Sequence, residues 1–168
     1  MNNLWGDIDE IININNPRSI LEEQAKYLSQ ITGDLVYGEI TSTRIGKITR
    51  EKFKEYNTDL GADFSYRFEL KSKYVDGYKF NILYIIYGIK IYPLCVKINP
   101  ELAKQIPKEI EVGEMDEGEF IVDNEQAFLK ILGYILKSEE VRTVVKNLKY
   151  IAEDEKNRLA EMEFSNLF

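Results

Sequence analysis

Two long runs of strand-forming residues in the middle of the chain are separated only by the dipeptide Asp76-Gly77. An Asp-Gly pair in this position favours a β-hairpin with a two-residue type I′ turn, because both central residues of that turn need a positive φ. The turn fixes a register in which Phe68 lies opposite Ile85. The sequence therefore predicts that this hairpin is the centre of an antiparallel sheet.

The predicted register gives the hairpin one apolar face and one mixed face. On the apolar face, every cross-strand pair away from the turn joins two apolar residues, so this face must be covered. On the mixed face, polar residues of the first strand lie opposite apolar residues of the second, so a second layer or a partner protein is expected to cover it. The mixed face carries Arg67, Glu69, Lys71, Lys73, Phe80, Ile82, Tyr84 and Ile86, of which Phe80 and Tyr84 are candidate partner-binding residues.

Further strands are predicted on both sides of this hairpin. A run over 35–45 contains Gly38, which indicates a bulge or a close approach of another backbone. After the hairpin, a turn at Gly88 predicts a third strand with Leu94 opposite Leu83, and one long strand with a bulge at Pro93 is the alternative.

Helix signals lie near both ends of the chain. Asn16 followed by Pro17 is typical of a helix start, and Gly33 is typical of its end. A capping box from Asp123 to Gln126 and an N-cap at Ser138 predict two more helices. We therefore expect an α+β fold, with a mostly antiparallel sheet of about four to six strands, an N-terminal helix and two C-terminal helices packed on one face.

The length of 168 residues suits one domain spanning 1–168. The last helix becomes strongly charged beyond about residue 153, so its end is expected to project or to pack on another subunit, which allows a homo-oligomer. Its final apolar residues predict either a docking peptide that binds a partner or a segment that folds back onto the sheet. These residues are Phe164, Leu167 and Phe168.

The composition narrows the chemistry that the chain can perform. There is no histidine, which removes the usual general base and most zinc and iron sites, and the single cysteine, Cys95, fits a reducing compartment. The net charge of −7 argues against nucleic acid as a partner. No run approaches a membrane span, and residues 1–10 lack the features of a signal peptide. We expect a cytoplasmic protein that is not an enzyme and has no metal or cofactor.

One locally basic stretch, from Arg44 to Lys54, interrupts this acidic composition. It predicts either a solvated loop and short helix or a site for a small anion such as a nucleotide or phosphate. Arg44, Lys47 and Arg50 are the candidate ligand-binding residues, and Arg67 and Lys71 of the mixed face join them if the stretch folds over the sheet.

A carboxylate-dependent or metal-dependent hydrolase is a third hypothesis, with Asp63 and Glu69 as the candidate acids, although nothing in the spacing makes them converge. The acidic run from Glu109 to Glu125 is interpreted as a solvated turn between strands or as an acidic docking surface.

Three segments of the chain carry a resemblance to known sequences, namely Ile20-Leu21-Glu22-Glu23-Gln24-Ala25-x-x-Leu28, Gly33-x-Leu35-x-x-Gly38 and Tyr87-Gly88-Ile89-x-x-Tyr92-Pro93. In these segments the chain resembles a loose group of small bacterial proteins with no known activity. The resemblance covers most of the chain from the first helix to the third strand and implies no function.

These observations favour a non-catalytic module that binds an unknown protein partner. The frequent use of Asn, Ile, Lys, Glu and Tyr indicates a bacterial or phage genome rich in A and T, so a prophage, immunity or defence setting is a hypothesis. The alternative function is the sensing of a small anionic ligand by the basic stretch.

Overall fold

The computed structural model describes residues 1–10, 15–110 and 112–167, and its architecture is the predicted α+β fold. Six strands form one antiparallel sheet in the order β1-β2-β3-β4-β6-β5. The long strands β2 and β3 lie inside the sheet, and β1 and β5 are its edges. The strands are β1 (Tyr37–Ser42), β2 (Phe64–Lys71), β3 (Phe80–Tyr87), β4 (Leu94–Lys97), β5 (Gly113–Asp116) and β6 (Glu119–Val122).

Five α-helices begin largely where local capping chemistry indicates. The Asn16 side chain caps the first helix by accepting from the Arg18 N–H, and Ser138 caps the last one as predicted. The cap of the fourth helix is Asn124 rather than Asp123, since the Asn124 carboxamide oxygen accepts from Ala127 N–H. The helices are α1 (Pro17–Ile31), α2 (Lys47–Tyr56), α3 (Pro100–Ala103), α4 (Glu125–Leu136) and α5 (Glu139–Ser165).

The sheet has a core on each face. The larger core joins α1, α4 and α5 to one face, and it includes Leu21, Leu83, Val96, Ile131 and Leu148, all nearly inaccessible to solvent. The predicted placement of the N-terminal and C-terminal helices on one face is confirmed. The smaller core lies on the opposite face, where Phe53 of α2 packs with Leu60, Ile86, Cys95 and Ile121.

The predicted hairpin register is wrong by two residues, because the connection between β2 and β3 has eight residues rather than two. Phe68 pairs with Leu83 instead of Ile85. Within the connection, the Tyr78 N–H donates to the carbonyl of Val75, but among residues 75–78 only Gly77 has a positive φ, so the turn is not type I′. A shift of two residues leaves the side chains on their predicted faces as far as Leu83.

A β-bulge at Ile82 then changes the face of the residues nearer the connection. Leu70 pairs with Phe80, and both contact the larger core. The prediction that Phe80 shares the mixed face with Tyr84 is therefore wrong, because the extra residue of the bulge reverses the alternation of side chains along β3.

The connection between β3 and β4 also differs from both predictions for it. It is a loop over 88–93, so Leu94 pairs with Tyr87 and not with Leu83. The loop begins where Gly88 touches Gly61 backbone to backbone, a contact that a Cβ on either residue would block. The prediction of a bulge or a close backbone approach at Gly38 is wrong, because β1 pairs regularly with β2 there and the close neighbour is the ring of Phe68.

Candidate functional site

The basic stretch forms α2, which covers part of the mixed face through the buried ring of Phe53. Arg44, Lys47 and Arg50 are exposed at and near this helix, and the Lys47 ammonium lies 4.0 Å from the Glu51 carboxylate. The stretch therefore acts first as a packing element, and Arg44, Lys47 and Arg50 point into solvent.

Lys52 of α2 binds the acidic hairpin formed by β5 and β6. Its ammonium contacts the Asp116 carboxylate and lies 2.9 Å from Oε2 of Glu119, whose side chain is only 10% exposed. Hydrogen bonds to Asp116 and Glu119 raise the pKa of Lys52. Part of the basic stretch and part of the acidic run thus neutralise each other within the chain.

The two predicted ligand-binding cations of β2 are also paired. The Nζ of Lys71 lies 2.6 Å from Oε2 of Glu39, and the Nε of Arg67 lies 2.9 Å from Oε1 of the buried Glu69. A hydrogen bond to Tyr84 is the largest cause that raises the pKa of Arg67. Both cations therefore interact with carboxylates of the chain itself.

Tyr84 lies at the centre of a polar row that crosses the mixed face from strand to strand. Its neighbours in the row are Arg67 on β2 and Lys97 on β4, and Lys97 in turn pairs with Glu119 on β6. Tyr84 is half-buried between these two charged neighbours, so we interpret it as a structural residue of the sheet.

The two candidate acids do not converge. The Oδ2 of Asp63 accepts from the backbone N–H of Ile89 at 3.1 Å, just before β2 begins. Glu69 lies six residues further along the extended chain, which is about 20 Å at the rise of a strand. Such a distance is too large for two carboxylates to act on one bond.

As far as Leu167, the end of the chain does not fold back onto the sheet, so for these described residues that interpretation is wrong. Phe164 is 64% exposed at the end of α5 and Leu167 just beyond it is 78% exposed, while Phe168 lies outside the described residues. After Ala152, every residue of α5 is exposed except Glu155, which is half-buried.

A cavity of about 530 Å³ lies between α1, α5 and the helical face of the sheet, and the sequence did not predict it. Its floor reaches side chains of the larger core that are 1–2% exposed, namely those of Phe68, Leu70 and Ile82. Its walls are apolar side chains of α1, α4 and α5, with Gln24 as the uncharged polar residue. They are Leu28, Ile31, Leu136, Val141 and Val145.

In the part of the chain that the structure describes, four cations and no carboxylate line this cavity. Lys137 follows α4, while Arg142, Lys146 and Lys149 lie on α5, and the side chains of all four are exposed at the rim. Among the described residues, none of them lies within 4.0 Å of a carboxylate oxygen. Their cationic groups are available to a ligand, unlike those of Lys52, Arg67 and Lys71.

The sequence does hold a signal for this rim. Arg142, Lys146 and Lys149 are spaced four and three residues apart, which places them on one side of a helix, and no acidic residue interrupts the segment 141–152. The cavity that they surround depends on the separation of α1 from α5, which no local pattern encodes.

A second cavity, of about 350 Å³, continues the first toward the end of α1. Ile31 and Lys149 line both cavities, and the second also touches Glu153 and Lys156 of α5. The two cavities form an elongated groove between α1 and α5, called the α1–α5 groove below.

Within the described residues, no group of three or more acidic or cysteine side chains is placed to hold a metal ion. None of the helices in that part of the chain is both long enough and apolar enough to cross a membrane. Comparison with models of protein families, with curated proteins and with solved structures found no match.

Proposed function

We propose that this protein is a non-catalytic binding protein whose ligand is an amphipathic anion with one long apolar chain, of the class of fatty-acid carboxylates. The observation that carries the proposal is an apolar cavity whose rim holds four cations without carboxylate partners. The apolar chain of the ligand occupies the cavity, and its anionic head lies at the rim.

The size and lining of the cavity support an apolar chain. Ligand cavities commonly measure about 300–1,000 Å³, and this one has about 530 Å³. Each methylene group transferred from water to an apolar lining contributes about 0.8 kcal/mol. The cavity offers few of the convergent polar groups that orient a nucleobase or a sugar, so a hydrocarbon chain suits it better.

The rim supports an anionic head group. The chain has a net charge of −7, yet Lys137, Arg142, Lys146 and Lys149 place four positive charges around one opening. Long basic side chains keep their cationic ends in water while their methylene stems cover apolar surface, so they bind an anion at the boundary between the two. The attraction to a carboxylate is expected to weaken as salt is added.

The anion site that we propose therefore differs from the one predicted from the sequence. The sequence patterns predicted a site at Arg44, Lys47 and Arg50, whereas the α1–α5 groove combines available cations with an apolar space. The function as a protein-interaction module, the cytoplasmic location and the defence setting stay predictions. The observation that favours a protein partner is the exposed end of α5.

The proposal is tested by isothermal titration calorimetry with palmitate on protein from which bound lipid has been removed. We expect saturable binding of palmitate, weaker binding of its uncharged methyl ester and no binding of inorganic phosphate. Replacing both Lys146→Gln and Lys149→Gln is expected to weaken palmitate binding by about tenfold or more, which corresponds to about 1.4 kcal/mol.

The matched control removes two exposed cations at α2, through Lys47→Gln and Arg50→Gln, and is expected to leave palmitate affinity unchanged. A cavity-filling substitution, Val145→Trp, is expected to abolish palmitate binding, because the indole ring occupies the space of the ligand's apolar chain. The proposal is wrong if palmitate does not bind, or if the α2 variant loses as much affinity as the rim variant.

A further inference from the structure

Helix α5 is longer than the core that it covers. Its 27 residues span about 40 Å, but Ala152, near its middle, is the last fully buried residue. The apolar stripe continues past that point at the same helical spacing, with Leu159 44% exposed and Met162 54% exposed. An apolar stripe that runs on beyond its own core is typical of a helix that packs on another chain.

The charges of this exposed end are unfavourable for an isolated helix. Residues 153–163 contain five acidic side chains and two basic ones, and the last turn of α5 has no basic residue. The carboxyl end of a helix carries a partial negative charge, so acidic groups such as Glu161 and Glu163 are repelled there. A cationic surface placed against this end would relieve the repulsion.

The first half of the same helix supplies such a surface. Arg142, Lys146 and Lys149 project from α5 at the rim of the α1–α5 groove, and Ile31 of α1, 72% exposed, adds an apolar surface beside them. Helix α5 is therefore basic over 142–149, beside the first cavity, and acidic toward its exposed carboxyl end. Two such helices placed antiparallel set opposite charges against each other at both ends.

We propose that two copies of this chain associate through α5, with the projecting end of each helix lying along the α1–α5 groove of the other. A two-fold axis makes the contact reciprocal, so the same residues form both halves of the interface. Leu159 and Met162 of one copy then cover the apolar opening of the groove in the second copy, and Glu161 and Glu163 face its rim cations. The proposal goes beyond ligand binding and does not depend on it.

The test is sedimentation velocity of the full chain over a concentration series, after removal of bound lipid so that the rim cations are free. We expect a reversible monomer–dimer equilibrium that weakens as salt is added, because the paired charges are exposed to solvent. Reversing the rim with Lys146→Glu and Lys149→Glu is expected to give a monomer. Reversing the helix end with Glu161→Lys and Glu163→Lys is expected to do the same.

An equimolar mixture of the two reversed variants is the decisive sample. Each acidic end then meets a basic rim and each basic end meets an acidic rim, so a heterodimer is expected to form where neither variant dimerises alone. All four positions are exposed, so the substitutions leave the core intact. The matched control, Lys47→Glu with Arg50→Glu at α2, is expected to dimerise as the unmodified chain does.

A chain that stays monomeric at every concentration overturns the proposal, as does a dimer that survives both reversals or a mixture that remains monomeric. A monomer that still binds palmitate overturns this inference alone and leaves the proposed ligand function standing. Because the proposed dimer covers the groove, palmitate binding is measured at dilutions where the chain is monomeric. A chain that dimerises but binds no palmitate at those dilutions overturns the proposed ligand function alone.

Discussion

The two faces of the sheet differ in how their cations are paired. On the face covered by α2, Lys52, Arg67 and Lys71 each contact a carboxylate of the chain. On the helical face, the rim of the α1–α5 groove leaves its cations without such partners beside an apolar cavity. The comparison shows that basic residues close together in the sequence indicate a binding site less well than basic residues that have no carboxylate nearby in the folded chain.

The largest expected effect on stability concerns the packing of α2 on the sheet. Phe53 is 1% exposed and is the buried residue through which α2 packs on the sheet, so Phe53→Ala is expected to lower the free energy of unfolding by about 3–5 kcal/mol. Urea denaturation followed by circular dichroism measures it. Ile48→Ala, at an 83% exposed position of the same helix, is the control and is expected to change little. A loss below about 1 kcal/mol for Phe53→Ala would show that α2 is only loosely attached.

The next effect concerns packing beneath the cavity. A Cβ at position 38 would overlap the ring of Phe68, a residue that also lines the cavity, so Gly38→Ala is expected to lower the free energy of unfolding by about 1–3 kcal/mol. The displaced ring is expected to narrow the cavity and to weaken palmitate binding as well.

Gly133→Ala in α4 is the control for this substitution, because an added Cβ meets no atom within 4 Å. Alanine favours a helix interior by about 1 kcal/mol over glycine, so this variant is expected to be more stable. Equal stability changes of the same sign in the two variants would contradict the close packing at Gly38.

The third effect compares one charge on each face. Lys52→Gln leaves the nearly buried carboxylate of Glu119 with a single cationic neighbour, Lys97, so a loss of about 1–2 kcal/mol is expected. Lys146→Gln removes a cation that has no carboxylate partner among the described residues. The free energy of unfolding of this variant is expected to stay within about 0.5 kcal/mol of that of the unmodified chain. Thermal or urea unfolding of both variants checks the difference. Equal losses would remove the distinction between paired and available cations.

The smallest effect concerns alkaline pH and the core beneath α2. Burial raises the pKa of the Cys95 thiol to about 12, above its ordinary value of 9.0. The unfolded chain therefore loses this proton first, so stability is complete below the ordinary pKa and falls as the pH rises through it. Titration of this thiol alone is expected to lower the free energy of unfolding by about 1 kcal/mol between about pH 9 and pH 10.

Urea denaturation across this pH range measures the loss, and Cys95→Ala is expected to show a smaller one. Burial also raises the pKa values of Tyr87 and Tyr92 to about 12, so part of the loss is expected to persist in that variant. Identical pH profiles for the variant and the unmodified chain would mean that the thiol is accessible to solvent.

Local chemistry explains which parts of the fold could be predicted from the sequence. The start of α1 at Asn16-Pro17 and the start of α5 at Ser138 depend on side chains that bond to their own neighbouring backbone, so the signal is complete within a few residues. The pairing of β2 with β3 depends on the eight-residue connection and on the bulge at Ile82, which the Asp76-Gly77 pair alone does not specify.

The candidate site was harder to predict for the same reason. The helical spacing of Arg142, Lys146 and Lys149 is visible in the sequence, but their lack of partners is a property of the folded chain. The basic residues at α2 formed the denser cluster, yet that stretch mainly supplies contacts within the chain, through Phe53 and Lys52. The densest run of cations in the sequence lies on the face where Lys52, Arg67 and Lys71 pair with carboxylates of the chain itself.

Methyl-resolved NMR during a palmitate titration tests the central claim most directly, because it locates the ligand on one face or the other. The account predicts that methyl signals of Ile31, Ile82 and Val145 shift in a saturable way, while those of Ile48 and Ile121 on the α2 side stay in place. Unchanged signals around the cavity, or shifts confined to the α2 side, would contradict it.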